Sequence, residues 1–420
     1  MSNMHTAQRN KVAVIGAGII GVNCAVAIAK RGYEVTLFDG QGIGQQCSFG
    51  NAGHFATEQV FPLASASMLP QLPKFLLDKK SPLSIVGKDL PTTAPWLTRF
   101  LFNMLPSKYR HATEALKQLN ASAIACYQEL LQEAQAEELM TLNGSLLVFE
   151  QTPIGEIETL QRQFSEQGVK VKLLTKRQAL ALEADLHDGI RYALHFTDVS
   201  HTINPQKLCH VLAEYAQSLG AIVIERDVIA ITAEPDKVSI KTSEQTHAFD
   251  SLVIATGAYS KPLAKQLGYR LPMQAERGYH FQLAAHATLS RPIASAERKF
   301  IMTPMSAGLR LAGTVEYAKL ETPPNYQRAS MLEDHAKHIL KSLPEPIDGE
   351  QKNWMGARPS LPDSLPVICQ GHKHQNVYFA AGHHHLGLTQ GAITGKLIAQ
   401  LIAGERTDID ISAFNIKRFN

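Results

Sequence analysis

Six residues near the start of the chain, Gly16-Ala17-Gly18-Ile19-Ile20-Gly21, restrict what it can fold into more than any other stretch. A mostly apolar run over residues 12–15 leads into them, and a nearly uncharged run follows to Ala29. Gly32 closes that run, and a second strand-like run over 34–38 ends in Asp39. Strand, glycine turn, helix, strand and acid in this order form the pattern of a dinucleotide-binding βαβ unit. Gly16 permits the tight turn, Gly18 lets a pyrophosphate approach the backbone, and Gly21 lets helix lie close to strand. The helix N-terminus offers free N–H groups and the positive end of its dipole to the phosphates. Asp39, about twenty residues on, is placed to accept hydrogen bonds from a ribose diol. A chance glycine turn would not carry the whole series.

The run over residues 12–29 is apolar enough to be mistaken for a membrane span or a signal core. The glycines at its turn, Asn23 within it and the strand behind it argue against both. Cys24, Cys47, Cys126, Cys209 and Cys369 are scattered with no C-x-x-C pair, which fits a reducing compartment. A length of 420 residues leaves room for two or more domains. A net charge of +3 with 19% charged residues gives no reason to expect nucleic acid. The expectation is a cytoplasmic protein with no transmembrane helix.

After Asp39, residues 40–54 are too rich in small residues for a helix or strand interior and read as backbone wrapped over a flat ligand. Prolines at 62, 70, 73, 82, 91, 95 and 106 predict short, broken helices. Residues 109–138 carry helical periodicity, followed by a strand over 144–149, a helix over 154–167 and a strand over 169–174. A helix over 204–219 and a buried strand over 221–225 come next. The apolar run over 250–258 then ends in Thr256-Gly257 and returns backbone to the carboxyl edge of a parallel sheet. Short alternating runs over 271–316 predict antiparallel strands, and a helix spans 328–343. Residues 356–368 read as a proline-pinned loop, 376–380 as a strand, and 381–391 as a glycine-rich lead into the last helix. The fold class expected is α/β: a discontinuous Rossmann-type dinucleotide-binding domain (9–60, 200–270 and 350–418) plus an α+β substrate domain with a largely antiparallel sheet (61–199 and 271–349).

Four features in chain order resemble the D-amino acid oxidase / glycine oxidase family of FAD-dependent amine oxidoreductases. They are the glycine unit ending in Asp39, Ile254-Ala255-Thr256-Gly257, Arg358-Pro359 with Pro362-Asp363 behind it, and Ala381-Gly382-His383 before the last helix. The resemblance covers essentially the whole chain. Ser48-Phe49-Gly50-Asn51-Ala52-Gly53, the proline-broken stretch from Lys74-Phe75-Leu76-Leu77 to Trp96-Leu97, and Leu386-Gly387-Leu388-Thr389 resemble most the bacterial D-amino acid dehydrogenase small subunit and D-hydroxyproline dehydrogenases. The resemblance implies FAD, although the fingerprint and Asp39 alone fit NAD nearly as well. It implies cofactor contacts at Gly16, Gly18, Ile19, Ile20, Gly21, Asp39 and Val228, at Ser48, Asn51, Ala52 and Gly53, at Thr256 and Gly257, and at Gly387, Leu388 and Thr389. It also implies oxidation of a D-α-amino acid, D-proline or a D-hydroxyproline among them, with electrons passed to a quinone or other non-oxygen acceptor. An oxygen-using glycine or sarcosine oxidase, or an FAD-binding subunit of a larger amine-oxidising complex, stands as an alternative.

Three residues are candidates at the reacting end. Arg358 matches the family's carboxylate-binding arginine, and a planar guanidinium can clamp a carboxylate through two parallel hydrogen bonds. Tyr279 has two open readings, a hydroxyl on the substrate carboxylate or a core tyrosine. His385 stands where some glycine oxidase-type relatives have a second arginine, and is expected to meet the substrate amine or a ring hydroxyl. No metal is expected at His383-His384-His385, because adjacent residues project apart and zinc ligands are spaced. Arg310 and Thr314 read as sheet support. No Ser-His-Asp arrangement is required, since a flavin supplies the electronics and the protein the orientation. Residues 74–106 mix apolar Phe75, Leu76, Leu77, Trp96, Phe100 and Phe102 with Lys74, Lys79, Lys80, Lys88 and Arg99. They are expected either to rest on a membrane, at the cytoplasmic face of the inner membrane, or to cap the substrate domain.

Overall fold

The computed structural model describes residues 10–66, 69, 81–284, 289–349 and 352–420. The β-branched run Lys11–Ile15 forms the middle of a six-stranded sheet. Glu34–Phe38 lies on one side of it and Ser251–Ile254 on the other, both parallel. Ile222–Ile224 extends the sheet beyond Glu34–Phe38, and Val377–Ala381 extends it beyond Ser251–Ile254. Val367–Gln370 closes that edge as an antiparallel strand. The chain leaves Lys11–Ile15 in opposite directions, so a switch point opens at its carboxyl end, where ligands of such sheets bind. Ile222–Ile224 is an edge strand rather than the buried one expected, with Ile222 59% exposed.

Both faces of this sheet are covered. Ile19–Ala29, Pro205–Ser218 and Gly387–Ile402 bury Val22, Val26, Leu208, Leu212, Ile393 and Leu397 in a core with Val12, Val14 and Leu37. On the other face a three-stranded meander, Ala230–Glu234, Lys237–Lys241 and Thr246–Phe249, packs Ile231, Val238 and Phe249 on Ala13, Ile15 and Phe38. Helices Pro106–Ala121 and Ala123–Glu133 also join the first core through Leu116, Leu119, Tyr127 and Leu131. Their apolar face therefore belongs to the nucleotide-binding unit, although their sequence lies within the 61–199 stretch expected to form the substrate domain.

The second sheet has nine strands and is largely antiparallel. Gln274–Leu283 and Gly308–Tyr317 form its long antiparallel pair, with Asn353–Ser360 outside the first and Phe300–Met305 beside the second. Phe281, Leu283, Leu309 and Leu311 pack against Leu332 and Ala336 of the helix Gln327–Ala336. Two expectations are corrected here. Asn353–Ser360 is a strand of this sheet rather than a loop of the nucleotide domain, so the chain returns to the six-stranded sheet only at Val367. Pro359 is tolerated because the strand is at the sheet edge, where a missing N–H breaks no ladder bond. Within 81–106, Leu90–Phe102 is a single helix that runs through Pro95. Among the described residues no helix is long and apolar enough to cross a membrane.

Candidate active site

A cavity of about 1030 Å³ runs from the carboxyl edge of the six-stranded sheet to the nine-stranded sheet. At its nucleotide end Gly16 adopts φ +102°, and a Cβ there would stand 2.5 Å from the Ala255 carbonyl oxygen. A Cβ on Gly21 would stand 1.7 Å from the Gly16 carbonyl oxygen, so the helix start leaves no room for a side chain. Outside Gly18 only Ser48 Oγ comes near, at 3.3 Å, and the turn faces open space. The helix Ile19–Ala29 has no side-chain cap at Gly18. The Ile19 N–H donates to Ser48 Oγ at 2.9 Å and the Ala17 N–H to Asp39 Oδ2 at 2.7 Å. Asp39 Oδ1 accepts from the Gln41 N–H at 2.8 Å, and each carboxylate oxygen keeps a lone pair for a ribose hydroxyl. Val228, Thr256 and Gly257 line the same end. Bare backbone, a helix start with only its first N–H bound by a side chain and a carboxylate at the strand end fit the ADP half of a dinucleotide.

The loop after Asp39 is held from the second sheet. Arg310 Nη1 donates to the carbonyls of Phe49 at 2.8 Å and Asn51 at 2.7 Å, while its Nε donates to Gln282 Oε1 at 3.2 Å. Burial lowers its guanidinium to about 10, still charged at neutral pH. His280 Nδ1 lies 3.2 Å from the Gly50 carbonyl, and burial with Arg310 nearby pushes its pKa down to about 3. It is a neutral donor there. Trp354 stacks on His280 at 5.1 Å and lines the cavity. Asn51 and Ala52 line it too, as do Gly387 and Leu388 at the start of the last helix. Gly53 and Thr389, expected as cofactor contacts, do not: Gly53 adopts φ +71° and donates to Asn51 Oδ1, and Thr389 Oγ1 accepts the Ala56 N–H. They shape the loop instead.

At the far end Arg358 projects from the edge strand toward Glu276, its direct cross-strand neighbour. Nη1 lies 3.2 Å from Glu276 Oε1, in an ion pair whose carboxylate is buried. A Cβ on Gly278 would meet the guanidinium at 2.4 Å, so the group lies flat over that glycine. Among the described residues Nε and Nη2 make no hydrogen bond, which leaves one two-pronged edge of the fork for a carboxylate. His385 lines the cavity beside it; burial, then Arg358 and His54, hold its pKa near 4. A neutral imidazole there cannot serve as a second cation for the carboxylate, and it can accept an amine N–H.

The profile of the FAD dependent oxidoreductase family, DAO, matches residues 11–401. The chain belongs to this family. FAD is accordingly its cofactor, and the backbone and carboxylate described above fit its ADP half. Over 97% of its length it is 33% identical to a D-amino-acid oxidase of Bradyrhizobium diazoefficiens, covering 98% of that protein. It is 27% identical to a D-amino acid dehydrogenase of Vibrio atlanticus, covering 97% of this chain and all of that one. The fold matches glycine oxidase from Geobacillus kaustophilus with a TM-score of 0.74, at 22% identity, over 97% of this chain and 99% of that one.

Several residues of this FAD-dependent oxidoreductase sit differently from expectation. Tyr279 lines the cavity, but its hydroxyl donates to Glu316 Oε2 at 2.7 Å and accepts the Asn325 N–H at 3.1 Å. Burial, with Glu316 beside it, raises the phenol to about 12. The hydroxyl is spent on the buried Arg277–Glu316 pair rather than left for substrate. Alternation along the strand puts Tyr279 on the face of Arg277, and the register shift at Gly278/Tyr279 leaves Thr314 of the neighbouring strand unpaired, which no sequence period announces. Two of the three histidines take separate partners: His383 Nε2 lies 3.0 Å from Thr394 Oγ1, and His384 joins Ser360 Oγ and the Leu361 N–H. His384 thereby ties the strand bearing Arg358 to the turn before the last helix.

Trp96 and Phe100 are 5% and 9% exposed, stacked on each other at 5.0 Å and sealed against Tyr317. Trp96 Nε1 donates to the Ser360 carbonyl. They cap the substrate sheet and are no membrane anchor. Phe75, Leu76, Leu77, Lys74, Lys79 and Lys80 lie outside the described residues. Sequence reasoning missed Glu276, Trp354 and the reach of Arg310. Only Trp354, one of two tryptophans in the chain, carried any signal.

Proposed function

We propose that the chain oxidises a D-α-amino acid, cyclic ones such as D-proline or a D-hydroxyproline included, to the imino acid. The observation that carries the reading is Arg358, which lines the cavity, is paired with Glu276 through Nη1 and, among the described residues, keeps Nε and Nη2 free of hydrogen bonds. Relatives named D-amino-acid oxidase and D-amino acid dehydrogenase, matched almost end to end, support it. Arg358 binds the α-carboxylate and so fixes the Cα–H bond in one direction. Neutral His385 accepts a hydrogen bond from the substrate amine. Leu63 and Val315, packed against the Trp96, Phe100 and Tyr317 cluster, line the cavity with apolar surface and help keep water from the reacting carbon. When bound, FAD supplies two-electron acceptance, which no side chain can provide.

The electrons go on to a quinone or another non-oxygen carrier in this reading. An apolar surface supports contact with a membrane in which such a carrier dissolves: Leu101, Phe102 and Leu105 are 49%, 59% and 46% exposed, with Lys108 beside them. The place proposed is the cytoplasmic face of the inner membrane. The Bradyrhizobium relative, named an oxidase, favours oxygen as the acceptor instead. Turnover of D-alanine, D-proline and their L-enantiomers, with a quinone analogue and with oxygen, tests both parts. Reaction of the L-forms alone would overturn the substrate reading, and faster turnover with oxygen would overturn the acceptor. Leu101→Glu with Phe102→Glu should release the protein from anionic vesicles without lowering Tm.

A further inference from the structure

Four carboxylates line the cavity. Asp39 is tied to the glycine turn, Asp227 crowds Gly40 at the same end, and Glu276 is paired with Arg358. Glu58 is left. It is 3% exposed, and its Oε2 has no hydrogen-bond partner among the described residues. Its Oε1 has only distant neighbours, Gln59 Nε2 at 3.4 Å and His54 Nε2 at 3.6 Å. His54 Nε2 is likewise buried with no hydrogen bond, and it also lines the cavity. A buried carboxylate oxygen without a donor is costly, so a wall that keeps one is built for a group that arrives with the ligand.

The position of Glu58 is set by backbone rather than by chance. His54–Phe55 pairs with Ser200–His201, the Ala56 N–H is bound by Thr389, and Asn120 holds the Gln59 carbonyl. This segment therefore sits between the first turn of the last helix and the substrate side of the cavity. His385 feels the charge of both Arg358 and His54, so both groups lie near it.

We propose that Glu58, oriented by His54, reads the substrate's side chain, and that favoured substrates carry a hydrogen-bond donor there, a hydroxyl or an amine. The inference rests on Arg358 as the carboxylate clamp, which leaves the side chain as the part of the molecule free to reach Glu58. Matched pairs test it: D-proline against a D-hydroxyproline, and D-alanine against D-serine. Glu58→Leu should lower the ratio of kcat/KM for the hydroxylated over the plain member about ten- to hundredfold, and Glu58→Gln by less, since an amide oxygen still accepts. Ratios that stay within about twofold, with both members falling together or neither, would overturn the assignment.

Binding to the flavin-loaded protein gives a second measure without turnover. Benzoate and hydroxybenzoates are titrated against the flavin absorbance of the wild type, Glu58→Gln and Glu58→Leu. Loss of preference for the hydroxylated ring in Glu58→Leu supports the proposal, and an unchanged preference overturns it. Were no D-amino acid oxidised at all, the reading of the previous subsection would fall, while this titration would still decide the role of Glu58.

Discussion

The two ends of the cavity recognise their ligands by opposite means. At the nucleotide end the lining is mostly backbone: the turn at Gly16 to Gly21, the N–H groups of the helix start beyond Ile19, and one carboxylate that itself holds backbone. At the substrate end they are made by side chains that other side chains hold in place: Arg358 by Glu276, Trp354 by His280, His384 by Ser360. A backbone site tolerates almost no substitution where Cβ would intrude, yet it is indifferent to what lies beyond. A side-chain site can be retuned one residue at a time. One scaffold can thus keep its cofactor while its substrate changes.

Removing Arg358 should separate the two ends most sharply. Arg358→Ala should cost on the order of 2–4 kcal/mol in kcat/KM for amino acids, because it removes the carboxylate's partner and leaves Glu276 buried and unpaired. Flavin content should be unchanged, and amines without a carboxylate should lose far less. Equal loss on both kinds of substrate would make Arg358 a structural residue and erase the contrast. At the other end, Gly21→Ala pushes a methyl into the Gly16 carbonyl and should destabilise the protein by about 1–3 kcal/mol with loss of bound flavin. KM measured on whatever holoprotein remains should stay close to wild type.

Arg310→Met tests where one end stops and the other begins. It removes a charged donor from two loop carbonyls, so flavin affinity should weaken by about 1–2 kcal/mol while KM moves little. A raised KM with flavin affinity intact would assign the loop to the substrate end. A dependence on pH is expected as well. Burial holds His384 near 4, against an ordinary value of 6.5 in the unfolded chain. Between those values the unfolded state carries the extra proton, so stability falls as pH drops from about 6.5 toward 4 and is unaffected above. His384→Asn should flatten that slope by about 1.4 kcal/mol per pH unit, read as Tm against pH.

The same contrast explains what was legible in the sequence. The glycine turn, Asp39 and Thr256-Gly257 work through local backbone geometry, which spacing along the chain encodes, and each stands where the pattern placed it. Arg358 was found through its motif, but its strand was taken for a loop because two prolines flanked by small residues look the same in both settings. Tyr279 and Trp96 depend on which face of an element meets which neighbour. The pairing of Tyr279 with Glu316 and the seat of Leu90–Phe102 on Tyr317 decide that, and both are tertiary. Amphipathic pattern alone does not tell a helix face that meets lipid from one that meets a sheet.

The discontinuity of the parallel sheet also bears on how the protein is made. The apolar helix Ile19–Ala29 leaves the ribosome well ahead of its long contact partner Gly387–Ile402 and of the strand Val377–Ala381. At about 5–20 residues per second the interval is on the order of 20–70 s. Through that interval the glycine turn has no finished sheet around it, and nine of the helix's eleven residues wait for burial. A nascent chain of this protein is therefore a natural client for chaperones until that strand and helix arrive.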